Sequence, residues 1–532
     1  MNTGQEVIMR LVSSLALLAL PLALMACSPK STAPQPFPLV EASIDGLHKA
    51  LERRLTTCKA VIKGELARIA AYDKARDLNA IIMINDNALN RAEAMDAARI
   101  TGEKLGPLYC VPVVVKDNFD TYDFPTTGGS IALKDSTPPD DAFMVRRLRE
   151  ADAIIIAKTN MAEWAFSPRE TISSSFGTTA NAYDLGRVPA GSSGGTASAV
   201  AASFALAGLG SDTGNSIRGP SSHLALVGIR STMGLTSRDG VIPLIADRDI
   251  AGPMTRSVRD TAIMFNVVAG YDPADPITAE GKDKKADDYT AFLDANGLKG
   301  ARLGVLREFV ETKEADPQVL AVFAKALVDL TAAGAEIIDP LTIKDMQSHI
   351  DRENNCPSFR YDMAQYLKTL GDKAPFKDVN TVLENGLYGP DAKGGLEYFS
   401  AFPATRAPED WDEPCQRYLD NPLRASYRKD VLDAMNAHHL DALIYPSWSN
   451  PPAHLDKGRE EYKGDNSQSL APSTGLPAIT VPMGYTYGHL PAGLQIVARP
   501  YAEGTLFKLA YAYEQATHHR KAPEGFEELA TK

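Results

Sequence analysis

Residues 190–219 read AGSSGGTASAVAASFALAGLGSDTGNSIRG, and the interpretation of the whole chain starts from them. Two clusters rich in glycine and serine flank a run of small residues that suits a helix and an apolar run, residues 204–209, that suits a buried strand. Residues 212–216 follow that strand, at the edge where an α/β sheet usually presents functional groups. Successive backbone N–H groups in such a loop can point at one place. The stretch therefore predicts a loop that stabilises developing negative charge.

Apolar runs on both sides of this stretch predict one large α/β unit. Residues 108–115 form a nearly unbroken apolar run before Lys116, and residues 153–157 form another beyond a helical segment at residues 142–150. This pattern implies parallel strands joined by a right-handed crossover. Further strands are expected at residues 303–305, 335–338, 440–445, 478–481 and 494–497, and further helices at residues 258–269 and 319–333. We therefore expect an α/β fold with a mixed central β-sheet flanked by helices.

Two helical regions lie outside the predicted sheet. Before the first strand, the apolar spacing predicts one long helix over residues 47–69, capped near Ser43 or Asp45, and a second over residues 88–100 that stops at Gly102. Residues 340–435 are richer in polar and aromatic residues and suit short helices with loops. We expect them to form an insertion within a single domain of residues 41–532. Loops on a rigid scaffold usually carry specificity, so the insertion is a candidate source of it.

The first forty residues predict export. Arg10 precedes an apolar run over residues 11–25, which is too short to span a bilayer and suits a signal peptide of residues 1–26. Residues 24–27 read LMAC and resemble a bacterial lipobox, which would make Cys27 the lipidated first residue of the mature protein. Residues 27–40 are rich in proline and suit a stiff tether. With Ser28 next, we expect a lipid anchor on the periplasmic side of the outer membrane.

Composition excludes several classes of function. The net charge of −12 argues against a nucleic-acid partner, which calls for a basic surface. The nine histidines show no metal-ligand spacing, so neither a metal nor another cofactor is expected. Besides Cys27 there are four cysteines, Cys58, Cys110, Cys356 and Cys415. We expect these to be buried free thiols, with a Cys356–Cys415 bridge as the alternative.

Several motifs resemble the amidase signature family, whose members carry GGSSGG followed by GSDTGGSIR. Ser216 lies 24 positions after Ser192, which is the family's spacing between its two functional serines. Upstream, CVPVVVKDNFD resembles the family's strand that ends in the catalytic lysine, which maps onto Lys116. Further matches are AIIIAKTNMAEWA, GPMTRSV, LPAITVPMGY and AGLQIVARP. The resemblance covers nearly the whole chain after the tether and implies the fold of that family.

The resemblance also implies a mechanism. Ser216 would attack an amide carbonyl and form an acyl-enzyme, Ser192 would lie in a cis peptide and relay the proton, and Lys116 would accept it as a neutral amine. Burial at the end of an apolar strand favours the uncharged lysine. The oxyanion would be bound by the backbone N–H groups of Thr213, Gly214, Asn215 and Ser216. Ser193, Asp212 and Arg218 would support the loop.

Two features qualify the resemblance. The family most often has glycine where this chain has Asn215, which keeps the backbone donor but adds a side chain that affects substrate scope. Residues 191–195 also fit the GxSxG nucleophile elbow of α/β-hydrolases, with Ser193 as nucleophile. That elbow needs a strand directly before it. Residues 181–189 read as a loop, so this alternative fails.

The expected activity is hydrolysis of a small, acyl or aryl amide, and the expected partner is that small molecule. The same machinery suits an ester or carbamate hydrolase. An amidotransferase A-type subunit, which makes ammonia for aminoacyl-tRNA, shares the motifs but conflicts with the predicted export. An inactive binding lipoprotein conflicts with the retention of Lys116, Ser192 and Ser216. We expect a monomer or homodimer that touches the membrane only through its lipid.

Overall fold

The computed structural model describes residues 37–352 and 355–530. The predictions for the signal peptide, Cys27 and the tether up to residue 36 lie outside the described residues. The described strands are β1 Ile81–Ile84, β2 Pro112–Lys116, β3 Ile154–Thr159, β4 Ile172–Ser173, β5 Gly177–Thr178, β6 Ala207–Asp212, β7 Val227–Arg230, β8 Ile250–Thr255, β9 Arg302–Val305, β10 Glu336–Ile338, β11 Ala442–Pro446, β12 Ala478–Thr486 and β13 Leu490–Ala498.

One mixed sheet of eleven strands runs through the protein, and its order is β1-β3-β2-β6-β8-β7-β12-β13-β11-β9-β10. Strands β2, β3 and β6 are buried along their whole length, which explains why they read as apolar runs and not as alternating patterns. Strand β2 pairs in parallel with both β3 and β6. The predicted α/β fold with a mixed central sheet, and the parallel β–α–β unit, are confirmed.

The α-helices lie around the sheet or beside it. They are α1 Ile44–Glu52, α2 Cys58–Tyr72, α3 Ala88–Thr101, α4 Phe143–Glu150, α5 Gly194–Ala201, α6 Arg218–His223, α7 Val258–Val268, α8 Pro317–Ala332, α9 Met346–Asp351, α10 Phe359–Thr369, α11 Asn380–Glu384, α12 Pro390–Ser400, α13 Pro422–Ala437, α14 Leu470–Thr474 and α15 Glu503–Thr517. None of those in the described residues is both long and apolar enough to cross a membrane.

The predicted single helix over residues 47–69 is wrong, because the chain forms α1 and α2 there. Ser43 caps α1 as predicted, and its side chain accepts a hydrogen bond from the N–H of Gly46. Arg54 then takes a φ of 57°, which ends the helix, and Thr57 caps α2 through the N–H of Ala60. The apolar spacing continues across the break because α1 and α2 both pack on the same core.

The predictions also missed β1, β7 and β8 as strands. The sequence of β8, IAGPMT, contains glycine and proline, which are both depleted in strands. It is nevertheless fully buried and pairs with β6 on one side and β7 on the other. Tertiary pairing therefore overrides local preference at this position.

Residues 340–435 form α9 to α13 and the loops between them. Side chains of α10, α11 and α12, including Phe359, Met363, Val382 and Leu396, form a second hydrophobic cluster. Trp164 and Ile242, from loops that follow β3 and β7, belong to the same cluster. This cluster fixes the helices against the loops at one edge of the sheet.

The four cysteines within the described residues are paired, so the prediction that these four are free thiols is wrong. Disulfides join Cys58 to Cys110 and Cys356 to Cys415. The Cα atoms are 5.2 Å apart in the first pair and 5.7 Å apart in the second, within the range that a disulfide spans. The sequence alternative of a Cys356–Cys415 bridge is the pairing found. The Cys58–Cys110 pair depends on how α2 meets the segment before β2, which spacing in sequence does not reveal.

Candidate active site

Three pieces of the fold converge at one edge of the sheet. Lys116 ends β2, and the neighbouring parallel strand β6 leads into residues 213–216. Ser192 lies in the turn that enters α5, which packs on both strands. The structure therefore brings together residues that are 76 positions apart in the chain.

Among the described residues, the hydrogen bonds of the Lys116 amine go to hydroxyl groups. Its Nζ donates to Ser192 Oγ at 2.7 Å and to Ser211 Oγ at 2.8 Å. Asn118 Nδ2 also donates to Ser211 Oγ, at 3.0 Å. Sequence reasoning missed Ser211 and Asn118, although both lie within the quoted motifs. Ser211 reaches Lys116, and Asn118 reaches Ser211, because β2 and β6 are neighbours.

Burial controls the charge of this lysine. The side chain of Lys116 is fully buried, which lowers its pKa to about 7, against the opposing effect of the Asp249 and Asp212 charges. A substantial fraction of this amine is therefore uncharged near neutral pH. An uncharged amine has a lone pair that can accept a proton.

Ser216 is close to fully buried, with 5% of its surface exposed. Its Oγ donates to Asn215 Oδ1 at 3.4 Å. Across residues 37–352 and 355–530, no hydrogen bond joins it to Ser192. The structure thus links Lys116 to Ser192 directly and leaves the Ser216 hydroxyl turned toward its neighbour in the chain.

The loop before Ser216 presents free backbone donors. In the part of the chain that the structure describes, the N–H groups of Thr213, Gly214, Asn215 and Ser216 have no protein acceptor. The side chain of Thr213 donates to Asp249 Oδ1, which holds the loop from outside. Asn215 is not among the residues with positive φ, so its side chain adds no left-handed strain. The loop can offer its N–H groups to a bound oxyanion.

A buried ion cluster fixes the base of the loop. Asp212 forms ion pairs with Arg218 at 3.1 Å and with Arg230 at 2.9 Å, and all three side chains are fully buried. Burial favours the neutral form of Asp212, but the charges of Arg218 and Arg230 outweigh it and lower the pKa to about 2. Arg218 also donates to the carbonyl oxygen of Gly214 at 2.6 Å. Asp212 and Arg218 therefore hold the base of the loop, which is the role that the resemblance implies for them.

The segment around Ser192 is packed tightly. A Cβ on Gly191 would overlap the carbonyl oxygens of Ser167 and Glu170, so only glycine fits there. The peptide bond between Gly191 and Ser192 is cis. Ser193 points away from Lys116, and its Oγ donates to the carbonyl oxygen of Ser211 at 3.1 Å. Ser193 thus ties this segment to β6.

The side chain of Asn215 links the loop to two further segments. Its Nδ2 donates to the carbonyl oxygen of Pro168 at 3.1 Å and to Asp465 Oδ2 at 2.8 Å. Asp465 also accepts from the hydroxyl of Tyr462 at 3.0 Å. Burial raises the pKa of Asp465 to about 7. No motif in the sequence pointed to Asp465, which lies 250 positions after Asn215.

Comparison with known proteins identifies the family. The model of the Amidase family matches residues 60–507. The A-type subunit of glutamyl-tRNA(Gln) amidotransferase from Moorella thermoacetica is 36% identical over 502 residues, which is 90% of this chain and 97% of that protein. The chain therefore belongs to the amidase signature family. Members act on a C–N amide bond as hydrolases or amidotransferases, so the family identifies the chain as an enzyme of that coarse class.

Solved structures agree on the fold. The native peptide amidase from Stenotrophomonas maltophilia is 33% identical, with a TM-score of 0.80, and the match covers 92% of this chain and 99% of that one. The A-type subunit of glutamyl-tRNA(Gln) amidotransferase from Thermotoga maritima is 26% identical, with a TM-score of 0.70 and coverage of 92% and 99%. The peptide amidase supports amidase activity. The curated relatives favour the amidotransferase alternative over the expected stand-alone amidase.

The same relatives correct one prediction. An exported protein with a lipid anchor is contradicted, because the curated relatives are named as subunits of a tRNA amidotransferase. The predicted export was the reason for disfavouring an amidotransferase A-type subunit. The inference from the lipobox to location was therefore wrong, and with it the argument against this class.

Proposed function

We propose that the protein cleaves a C–N amide bond through an acyl-enzyme on Ser216, with Ser192 as the proton relay and Lys116 as the base. The observation that carries the proposal is the buried amine of Lys116 in direct contact with Ser192 Oγ at 2.7 Å. A buried lysine without a carboxylate partner favours its uncharged form, and it supplies a base near neutral pH.

In the first step, the Ser216 hydroxyl leaves Asn215 Oδ1 and turns toward Ser192. Ser192 passes its proton to the neutral amine of Lys116 and takes the proton of Ser216. The Ser216 oxygen attacks the amide carbon, and the carbonyl oxygen becomes an oxyanion. The free N–H groups of residues 213–216 stabilise that charge, which is absent from the bound substrate.

In the second step, the proton returns from Lys116 through Ser192 to the leaving nitrogen. The C–N bond breaks and ammonia or an amine departs. The acyl group stays on Ser216 as an ester. Water then loses a proton along the same path and attacks the ester, which releases the acid and restores Ser216. Each proton that Lys116 accepts is given back, so the cycle balances.

The amidotransferase A-type subunit is the second candidate. It is favoured by the 36% identity to the Moorella thermoacetica protein, which extends over nearly the whole of both chains. Such a subunit would use the same three residues to release ammonia from an amide. Ester or carbamate hydrolysis also fits the chemistry, because their tetrahedral intermediates resemble those of amides. No observation here favours it over amide cleavage.

A serine-directed phosphonate tests the chemistry common to all these candidates. We expect covalent labelling of the wild type, loss of labelling in Ser216→Ala, and retained labelling in Ser193→Ala, which removes the rival nucleophile. Unlabelled wild type would contradict the proposal, as would labelling that disappears in Ser193→Ala alone.

The range of amides cleaved separates the two leading candidates. Release of ammonia or of the free amine is the quantity measured. The purified chain would be assayed with glutamine and with peptide and aryl amides. A stand-alone amidase should turn over peptide or aryl amides without a partner. Turnover restricted to glutamine would favour the amidotransferase type.

A further inference from the structure

A cavity lies beside the catalytic loop. It has a volume of about 460 Å³ and is lined by Phe166, Ser167 and Arg169, by residues 244–245, by α12 and by Arg459. Pro168, between two lining residues, accepts hydrogen bonds at its carbonyl oxygen from the N–H of Gly191 at 2.9 Å and from Asn215 at 3.1 Å. This part of the lining is therefore joined by single hydrogen bonds to Gly191 and Asn215, which directly precede Ser192 and Ser216.

Leu244 and Ile245 form another part of the lining and are connected to the loop through Asp249. The N–H groups of Leu244 and Ile245 donate to Asp249 Oδ2 at 2.8 and 3.1 Å. The other oxygen of Asp249 accepts from the hydroxyl of Thr213. A group bound between these parts of the lining would sit next to the oxyanion loop. The cavity is thus placed to hold the part of a substrate that extends away from the scissile bond.

The lining suits an apolar group with a polar position near it. Phe166, Leu244, Ile245 and Phe399 supply aromatic and aliphatic surface. Ser167 also lines the cavity, and only 8% of its surface is exposed. Its Oγ is buried without a hydrogen-bond partner among the described residues. A buried hydroxyl without a partner is costly, and a ligand would satisfy it.

Most of the charged side chains that line the cavity are cationic, although the chain as a whole has a net charge of −12. Arg169, Lys393 and Arg459 line it, with Asp391 as the opposing charge. Arg169 is paired with Glu170 at 2.8 Å, and Lys393 lies 3.6 Å from Glu397. Arg459 is exposed, and the described residues place no carboxylate in an ion pair with it. Arg459 is therefore available to an anionic ligand.

We propose that this cavity binds a substrate arm that is apolar along its length and ends in a carboxylate. The inference rests on the proposed amide cleavage at Ser216 and narrows its substrate to amides with an acidic arm. Phe166, Ile245 and the other apolar side chains enclose the arm. The guanidinium of Arg459 binds the carboxylate, because arginine presents paired donors in the geometry that a carboxylate accepts.

A pair of aryl phosphonates that label the nucleophile provides the test. The two probes differ only at the para position, which carries a carboxylate in one and a methyl group in the other. We expect the wild type to react about tenfold faster with the carboxylate probe, and 0.5 M NaCl to reduce that ratio. Labelling rates serve as the readout, since they require only a reactive Ser216 and no guess at the natural substrate.

Variants of matched charge locate the carboxylate. Arg459→Glu should abolish or reverse the tenfold preference. Lys457→Glu makes the same change of charge two residues away, on a side chain that does not line the cavity, and should retain the preference. An unchanged ratio in Arg459→Glu, or an equal loss in both variants, would overturn the proposal.

A steric variant tests the cavity independently of charge. Gly394 lies in α12 and lines the cavity, and a Cβ there meets nothing within 4 Å. Gly394→Leu fills the space and favours the helix, so the variant should fold. It should react about tenfold more slowly with both aryl probes, relative to a methyl phosphonate without an arm. An unchanged relative rate would place the arm elsewhere.

The outcomes separate this inference from the function on which it rests. Labelling of Ser216 without any preference between the probes would overturn the cavity assignment and leave amide cleavage intact. A wild type that reacts with none of the phosphonates would overturn the proposed function, and the assignment of the cavity with it.

Discussion

Two buried lysines lie on neighbouring strands, and they differ in the groups that their amines contact. Lys116 on β2 and Lys158 on β3 are both fully buried, and Lys158 is in register with Val115. Within the part of the chain that the structure describes, Lys116 hydrogen-bonds to two hydroxyl groups and to no carboxylate. Lys158 donates to the carbonyl oxygen of Phe119 at 2.7 Å and to the hydroxyl of Thr126 at 2.8 Å, and lies 3.7 Å from the carboxylate of Asp117.

The nearby carboxylate suits Lys158 to a structural role as a cation, whereas the hydroxyl partners suit Lys116 to the role of a base. Burial lowers the pKa of both lysines, but Asp117 is adjacent to Lys158 and opposes the shift, whereas Lys116 has no carboxylate in contact. The amine of Lys158 is also committed to acceptors that connect β3 to residues 117–127. Burial alone therefore does not make a lysine catalytic. The absence of a contacting carboxylate within the described residues distinguishes Lys116.

The largest expected effect is on activity at Lys116. Lys116→Met should lower kcat/KM by roughly 10³-fold, within the range that a general base contributes. The variant should remain folded, because methionine fills a similar volume without a buried amine. Steady-state amide hydrolysis and a thermal melt check both statements. Activity within tenfold of the wild type would show that the base lies elsewhere.

The next effect is on stability at Lys158. Lys158→Met leaves the buried carboxyl group of Asp117 without its cation, and we expect a loss of about 3–5 kcal/mol in the free energy of unfolding. Chemical denaturation measures it. The double variant Lys158→Met with Asp117→Asn should recover part of the loss. A single variant as stable as Lys116→Met would contradict the contrast between the two lysines.

The pH dependence sharpens the contrast. Because the pKa of Lys116 in the folded protein is about 7, kcat/KM should rise tenfold per pH unit below pH 7 and level off above it. The unfolded chain binds the extra proton between pH 7 and about 10.5, so stability relative to Lys116→Met should increase with pH across that window. A rate that stays constant from pH 5.5 to 9 would contradict this assignment.

The smallest effect is expected at Asn215. Asn215→Gly frees the Ser216 hydroxyl from Oδ1, and we expect a change of about threefold in the phosphonate labelling rate, toward faster labelling. The same change removes hydrogen bonds to Pro168 and Asp465, at a cost of about 1–2 kcal/mol in stability. Slower labelling in a folded variant would show that Asn215 orients Ser216 productively.

The sequence predicted the parts of the site that lie in short motifs. Lys116, Ser192 and Ser216 were predicted from the resemblance to the amidase signature family, whose motifs are short and therefore visible in the sequence. Ser211, Asn118 and Asp465 meet the same centre through strand neighbours and a distant loop, so local patterns do not reveal them. The catalytic roles of Lys116, Ser192 and Ser216 stay predictions.

The fold shows the same division. The buried strands β2, β3 and β6 were found from their unbroken apolar runs, whereas β8 was missed because its glycine and proline hide a strand that pairing with β6 and β7 imposes. The break between α1 and α2 depends on one residue with positive φ, Arg54. The inference from the first forty residues to an exported protein is contradicted by the curated relatives, which match the rest of the chain.

The protonation state of Lys116 tests the central claim most directly. NMR of the protein with lysine labelled at Cε and Nζ, assigned by comparison with Lys116→Met, would follow the titration of this amine. Lys158, assigned in the same way, serves as the internal comparison. We predict that the Lys116 signal titrates with a pKa near 7. A Lys116 amine that stays protonated beyond pH 9 would contradict the account.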